Sequence, residues 1–218
     1  MLMTSLPAHP PSLFSANQTP ISKIRLEKHL TLLDERDAKD LSLIEELLFW
    51  SQVNEATDQF IIYKSKEVLN KVQDEFLRGV ILWRLELRTL LSALRMHHAG
   101  IKQPKKNTFN GVGRWLGDIE RNWDKNDFGL GHRVSWILPA QQMLSQHRTY
   151  ELEKLLLGVV WQYYANECNQ HYFDFPAVVI YVLRWDVIYR WTLYRADEAV
   201  RRFDKLVDDG LQDFKLSI

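Results

Sequence analysis

Six charged residues sit where charge is costly: Arg84, Glu86 and Arg95 in one nearly all-apolar stretch, and Arg184, Asp186 and Arg195 in another, one hundred residues later. Trp83, Leu85, Leu87, Leu90, Leu91 and Leu94 surround the first set; Val182, Trp185, Val187, Ile188, Trp191 and Tyr194 surround the second. A helix apolar nearly all round belongs in a protein interior, where an unpaired ion costs several kcal/mol or more. The chemistry open to these residues is therefore ion pairing. In each stretch the arginine follows the acid by nine residues, about two and a half helical turns, so the two face opposite ways and cannot pair with each other. Asp186 has Arg190 one turn on, whereas Glu86 has Leu90 there. Each charge is expected either to meet a neighbouring helix in a structural ion pair or to line a concave surface that receives another protein.

Other residues offer little catalytic chemistry. His97 and His98 are adjacent and point to different sides of a helix, while His132, His147 and His171 are dispersed, so no metal spacing arises. Asp204, Asp208 and Asp209 cluster near an exposed helix end without a calcium-type loop around them. Ser5, Ser12 and Ser15 lack the strand-turn-helix context of an activated nucleophile. Gly111-Val-Gly113 followed by Gly117 resembles part of a dinucleotide loop, but that fingerprint needs a preceding buried strand, and Lys105 to Asn110 is none. It reads as a turn. The chain is expected not to be an enzyme, with no catalytic, metal or cofactor residues and no small-molecule substrate. The eight tryptophans and eight tyrosines mostly have Leu and Val neighbours and read as core rather than as base-stacking groups.

Lysine plus arginine equals aspartate plus glutamate at 28 each, which argues against a dedicated nucleic-acid binder. The nearest basic cluster, Lys102, Lys105 and Lys106, reads as a solvated loop, with contact to an acidic partner or anionic headgroup as the alternative. The single cysteine, Cys168, excludes an internal disulfide and a thiolate-rich metal site, and suits a reducing cytoplasm. Pro7, Pro10 and Pro11 interrupt the start of the chain before any apolar run can make a secretory signal. No uncharged apolar run reaches the ~18 residues of a membrane span; Ala177 to Leu183 comes nearest and is stopped by Arg184 and Asp186.

The elements that must position these charges are all helical. Residues 1–21 form a proline-rich extended leader, with Leu6, Leu13 and Phe14 available to pin it. Residues 22–100 form a first helical unit, with helices from Ser22, from near Asp37 to Trp50, from Thr57 to Leu69 and from Gln73 to His98, Gly100 standing at the stop. Gly79 should weaken the last of these slightly, unless close packing requires a small residue. Residues 101–131 form a connector with a short helix over Arg114 to Trp123, and Phe60 to Tyr63 is the only β-like run. Residues 132–218 form a second unit: Val134 to Leu144 with a restart at Pro139, Thr149 to Asn169, Asp174 to Arg195, and a final helix through Phe203 that stops at Gly210. The expected fold is an all-α bundle of two related units.

An acid followed nine residues later by an arginine, in an apolar helix, is similar to the repeated element of the C (or d) subunit of V-type and A-type rotary ATPases. Those helices read acid-x-x-Asn with an arginine further on; Glu86 and Asp186 match the acid, Arg95 and Arg195 the arginine, and Thr89 and Tyr189 stand where asparagine is usual. Phe173-Asp-Phe-Pro176 resembles that family's approach to the element, and Leu33-Asp34 through Trp50 its acidic helix start. Ser5-Leu6-Pro7 with Ser12-Leu13-Phe14 is similar to a short uncharacterised bacterial family encoded with V-type ATPase genes. The resemblance implies a shortened form of the subunit: a non-catalytic adaptor that links the central shaft to the membrane rotor ring. Its partners would be the shaft subunits and the ring, and its location cytoplasmic, peripheral at the inner membrane. The alternative is an assembly factor or regulatory protein-binding helical module.

Overall fold

Three acceptor side chains start three of the helices. Ser22 Oγ accepts the Arg25 N–H at 3.4 Å, Asp34 Oδ1 the Asp37 N–H at 2.8 Å, and Asp74 Oδ1 the Leu77 N–H at 2.9 Å. Each satisfies a donor that the first turn leaves free. A computed structural model describes residues 2–49, 58–104 and 109–216, with side chains as far as Ala196 except Asp58 and Gln170. In chain order the helices are α1 (Leu2–Ser5), α2 (Lys23–Leu30), α3 (Glu35–Leu48), α4 (Asp58–Lys71), α5 (Glu75–His98), α6 (Leu116–Arg121), α7 (Ile137–Ser145), α8 (Thr149–Glu167) and α9 (Phe175–Leu216), with 3₁₀ turns at Leu13–Ser15 and Cys168–Gln170. No strand occurs among the described residues, and Phe60 to Tyr63 lies within α4. The all-α class holds. Trp50, Thr57, Lys105 and Lys106 lie outside the described residues.

Two expectations about element limits need correction. The leader is not extended throughout, because α1 precedes its prolines. Nor does a helix end at Arg195 and another at Gly210: α9 is continuous over Phe175–Leu216. Asp174 Oδ1 caps its start by accepting the Ala177 N–H at 3.1 Å, with Pro176 in the first turn where its missing N–H does no harm. Between Arg195 and Val200 there is neither proline nor glycine to break the backbone. A lone glycine lowers helix stability by about 1 kcal/mol but does not by itself end a helix.

One hydrophobic core runs from Leu13 to Trp191 and includes fully buried Ile44, Val68, Leu77, Ile81, Ile119, Ile137, Val160, Val179 and Ile188. It is shared across residue 100. α9 packs on α8, α3, α1 and the leader's 3₁₀ turn, while α5 packs on α3 and α7, so the two charge-bearing helices share α3 but differ in their other main neighbours.

The leader binds along α9 for a backbone reason. Pro7, Pro10 and Pro11 have no N–H to give, and the carbonyls of a docked strap need donors from elsewhere. Tyr181 Oη donates to Pro7 O at 2.8 Å, Trp185 Nε1 to Ile21 O at 2.7 Å, and Arg195 Nη1 to Ala16 O at 3.2 Å and Asn17 Oδ1 at 2.7 Å. Leu13 is 1% exposed, and the Phe14 ring meets Trp191 edge-on with centroids 5.0 Å apart.

Candidate functional site: a buried charge layer and an arginine–tryptophan cleft

Arg84 on α5 and Asp186 on α9 are 8% and 4% exposed and share one buried layer. The Tyr164 hydroxyl of α8 accepts a hydrogen bond from Arg84. Burial holds Arg84 below the ordinary guanidinium value, with Tyr164, Asp186 and Glu153 favouring its charge and Arg88 opposing it. Burial likewise pushes the Tyr164 phenol up to about 12. The arginine of the first stretch thus faces the acid of the second. Arg190, one turn beyond Asp186, gives its Nε–H to Glu153 of α8 at 3.0 Å.

The corresponding residues of the two stretches are used differently. Glu86, 9% exposed, accepts the Arg114 N–H at 3.0 Å and stands 3.3 Å from Arg114 Nε. One turn on, Thr89 accepts the Val112 N–H at 2.9 Å and donates its hydroxyl to Val112 O at 3.0 Å. Together they clamp the Gly111–Arg114 loop against α5. A Cβ on Gly111 would stand 2.5 Å from Thr89 Cγ2; one on Gly113, at φ +109°, would stand 2.2 Å from Glu86 Cγ. Both glycines are required by this approach, so the Gly-x-Gly pattern is a loop pressed onto a helix. Its sequence signal was an acid and a hydroxyl three residues apart on the face that meets the loop.

Asp186 instead lies in the buried layer with Arg84. Tyr189 is exposed and stacks on Trp185 with centroids 5.2 Å apart. Arg184 lies over the Trp161 ring at 4.2 Å and bonds to Cys168, and its buried Nε has no partner among the described residues. Burial lowers its pKa. Arg195 ties down the leader, whereas Arg95 is exposed in the last turn of α5, where a cation suits the helix dipole. Lys102 is also exposed. The six charges therefore repeat in pattern but not in surroundings.

A cleft of about 360 Å³ opens beside Glu86, lined by Trp83, Arg114, Trp115, Arg133, Trp136 and Tyr163 among others. Trp83 stacks flat on Tyr163 with centroids 3.6 Å apart. The Arg114 and Arg133 guanidinium carbons lie 4.6 and 5.0 Å from the Trp115 ring centre. Glu86 faces Arg114, and Asp118 Oδ2 is 3.7 Å from Arg133. Burial, and secondarily Glu167, raises the Tyr163 pKa well above its ordinary value, so it stays neutral. The expectation of core tryptophans holds for Trp123, Trp161, Trp185 and Trp191, but Trp83, Trp115 and Trp136 are only half-buried and line this cleft. Periodicity could not separate these groups, because the cleft is closed by the irregular chain on either side of α6.

Among the described residues no group of three or more His, Cys, Asp or Glu is placed to hold a metal ion, and no helix is long and apolar enough to cross a membrane. No protein-family model, curated protein or solved structure matches this chain.

Proposed function

We propose that this chain is a non-catalytic, protein-binding helical module and, from the resemblance of its charged helices, a coupling adaptor between the central shaft and the membrane ring of a V-type ATPase. The observation that carries the binding role is the cleft lined by Trp83, Trp115, Trp136, Tyr163, Arg114 and Arg133. Tryptophan, tyrosine and arginine are the residues that supply most of the energy at protein interfaces. Here they are already held: Arg114 by Glu86, Arg133 near Asp118, and both over Trp115. Side chains ordered before association lose less entropy on binding. The buried Arg84–Tyr164–Asp186 layer cross-links three helices behind the cleft, the stiffness that a torque-passing adaptor needs.

The test is affinity capture of the tagged full-length chain from a lysate that contains the ATPase. Rotor subunits should co-purify, and Trp115→Ala and Arg133→Ala should each reduce their recovery while leaving helicity by circular dichroism unchanged. Intact ATPase prepared without this chain bound, or undiminished capture by both variants, would overturn the reading. Stoichiometry separates a permanent subunit from an assembly factor, which would be recovered at well below one copy per complex.

A further inference from the structure

A second cleft, of about 390 Å³, opens between α2 and α3 and shares no lining residue with the first. Leu26 and Leu41 are each 3% exposed and Trp185 is 2% exposed; with half-buried Phe49 they give it an apolar lining. Two carboxylates line it as well: half-buried Glu45 on α3, and Glu27 of α2 on the exposed rim. Among the described residues Glu45 accepts no side-chain hydrogen bond and forms no ion pair. The charges that act on it are Asp186 of α9 and Glu27 of α2, both repulsive, and Lys23 of α2, attractive. Lys23 lies on the exposed rim, 3.9 Å from Glu27.

We infer that this cleft receives a lysine or arginine side chain presented on an apolar-flanked segment of a protein partner. A long basic side chain has the two parts this lining asks for. Its aliphatic stem covers apolar surface, and its cationic head supplies charge-assisted hydrogen bonds to a carboxylate that has none. An anionic ligand would meet Glu45 and Glu27, with buried Asp186 adding to the repulsion. A neutral apolar ligand would strip water from Glu45 without replacing it. The surface, the residues and the test are independent of the ATPase assignment.

Burial first, then Asp186, raises the Glu45 pKa from 4.5 to about 7. The bound cation must therefore compete with a proton near neutral pH, which adds a pH signature to the test. A helical peptide with one central arginine among leucines is compared with the same peptide carrying citrulline, and n-butylammonium with n-butanol. Binding to the full-length chain is followed by the methyl NMR signals of Leu26 and Leu41. The arginine peptide should shift those signals saturably at pH 8 and bind roughly five- to tenfold more tightly than the citrulline peptide, the ratio expected of a half-exposed ion pair. The preference should shrink roughly three- to fivefold between pH 8 and pH 6, to about twofold or less, as Glu45 takes up its proton. It should vanish in Glu45→Gln, which keeps the shape of the side chain and removes a disfavoured charge, so the fold survives. Equal binding of arginine and citrulline peptides, a preference that persists in Glu45→Gln, or saturable shifts with n-butylammonium but with neither peptide would each overturn the inference.

Discussion

His9 gives the docked leader a pH dependence whose size follows from its surroundings. Its ring centroid lies 4.1 Å from that of Tyr181 and 6.0 Å, edge-on, from that of Trp161. Nε2 stands 3.1 Å from the Tyr181 carbonyl oxygen, which can only accept, so Nε2 carries the proton and Nδ1 is a buried lone pair with no partner among the described residues. A second proton at Nδ1 would be cut off from water and would face Arg184; these effects lower the pKa from 6.5 to about 3. A folded-state value below the unfolded one means that the stability contributed by neutral His9 is whole above about pH 6.5 and is lost as the pH falls toward about 3. Between pH 8 and pH 5 the loss is about 2 kcal/mol, from 1.36 kcal/mol per pH unit through that window. Glu45 acts with the opposite sign: its folded value of about 7 exceeds 4.5, so its contribution improves as the pH falls through the same range. The total stability curve therefore conceals both effects, and the informative quantity is a difference between variants. His9→Gln keeps an N–H donor for the Tyr181 carbonyl and cannot titrate. Urea unfolding of both proteins at pH 8, 6.5, 5.5 and 5, followed by circular dichroism, should show wild type losing about 2 kcal/mol relative to the variant across the series. Parallel curves would refute the reasoning, because they would mean that His9 is solvated or already charged in the folded protein.

The remaining predictions concern packing and the buried layer. Gly79 lies in α5 with open space around it, so Gly79→Ala should raise stability by about 0.5–1 kcal/mol in thermal or urea unfolding. Gly113→Ala should do the reverse, because its Cβ would meet Glu86 at 2.2 Å from a backbone at φ +109°; a loss of ~2 kcal/mol or more is expected, with faster amide exchange at Val112 and Arg114. Thr89→Val leaves the Val112 N–H and C=O without their hydroxyl partner and should cost about 1–3 kcal/mol, whereas Thr89→Asn, able to donate and accept, should cost less in the same unfolding assay. Arg84→Met strands Asp186 in the core and should cost about 3–5 kcal/mol, most of it recovered when Asp186→Leu is added; additive losses in this double-mutant cycle would show that the two residues are not coupled.

Most of the helices were legible because a 3.6-residue apolar period and a capping side chain act locally. Ser22, Asp174 and Pro176 mark starts that the folded chain uses. The end of the last helix was misread, since Gly210 stops a helix only where tertiary contacts favour a left-handed turn, and here the helix passes through it. The candidate site was legible in part. Arg84, Glu86 and Asp186 stood out as charges in apolar surroundings, but their partners Tyr164, Arg114 and Val112 carried no comparable signal.

Taken alone, the chain's pattern determines the all-α class, the main helix starts and the presence of buried charge, because these depend on which residue types stand within a turn or two of one another. Tertiary structure alone decided that Arg84 faces Asp186 across the repeat, that Glu86 and Thr89 clamp the Gly-Val-Gly loop, and that the leader lies along α9. The physical reason is distance along the chain. Tyr181 and Pro7 are 174 residues apart, and which donor meets which acceptor over such a span is settled by how whole helices pack, a choice that no local spacing encodes.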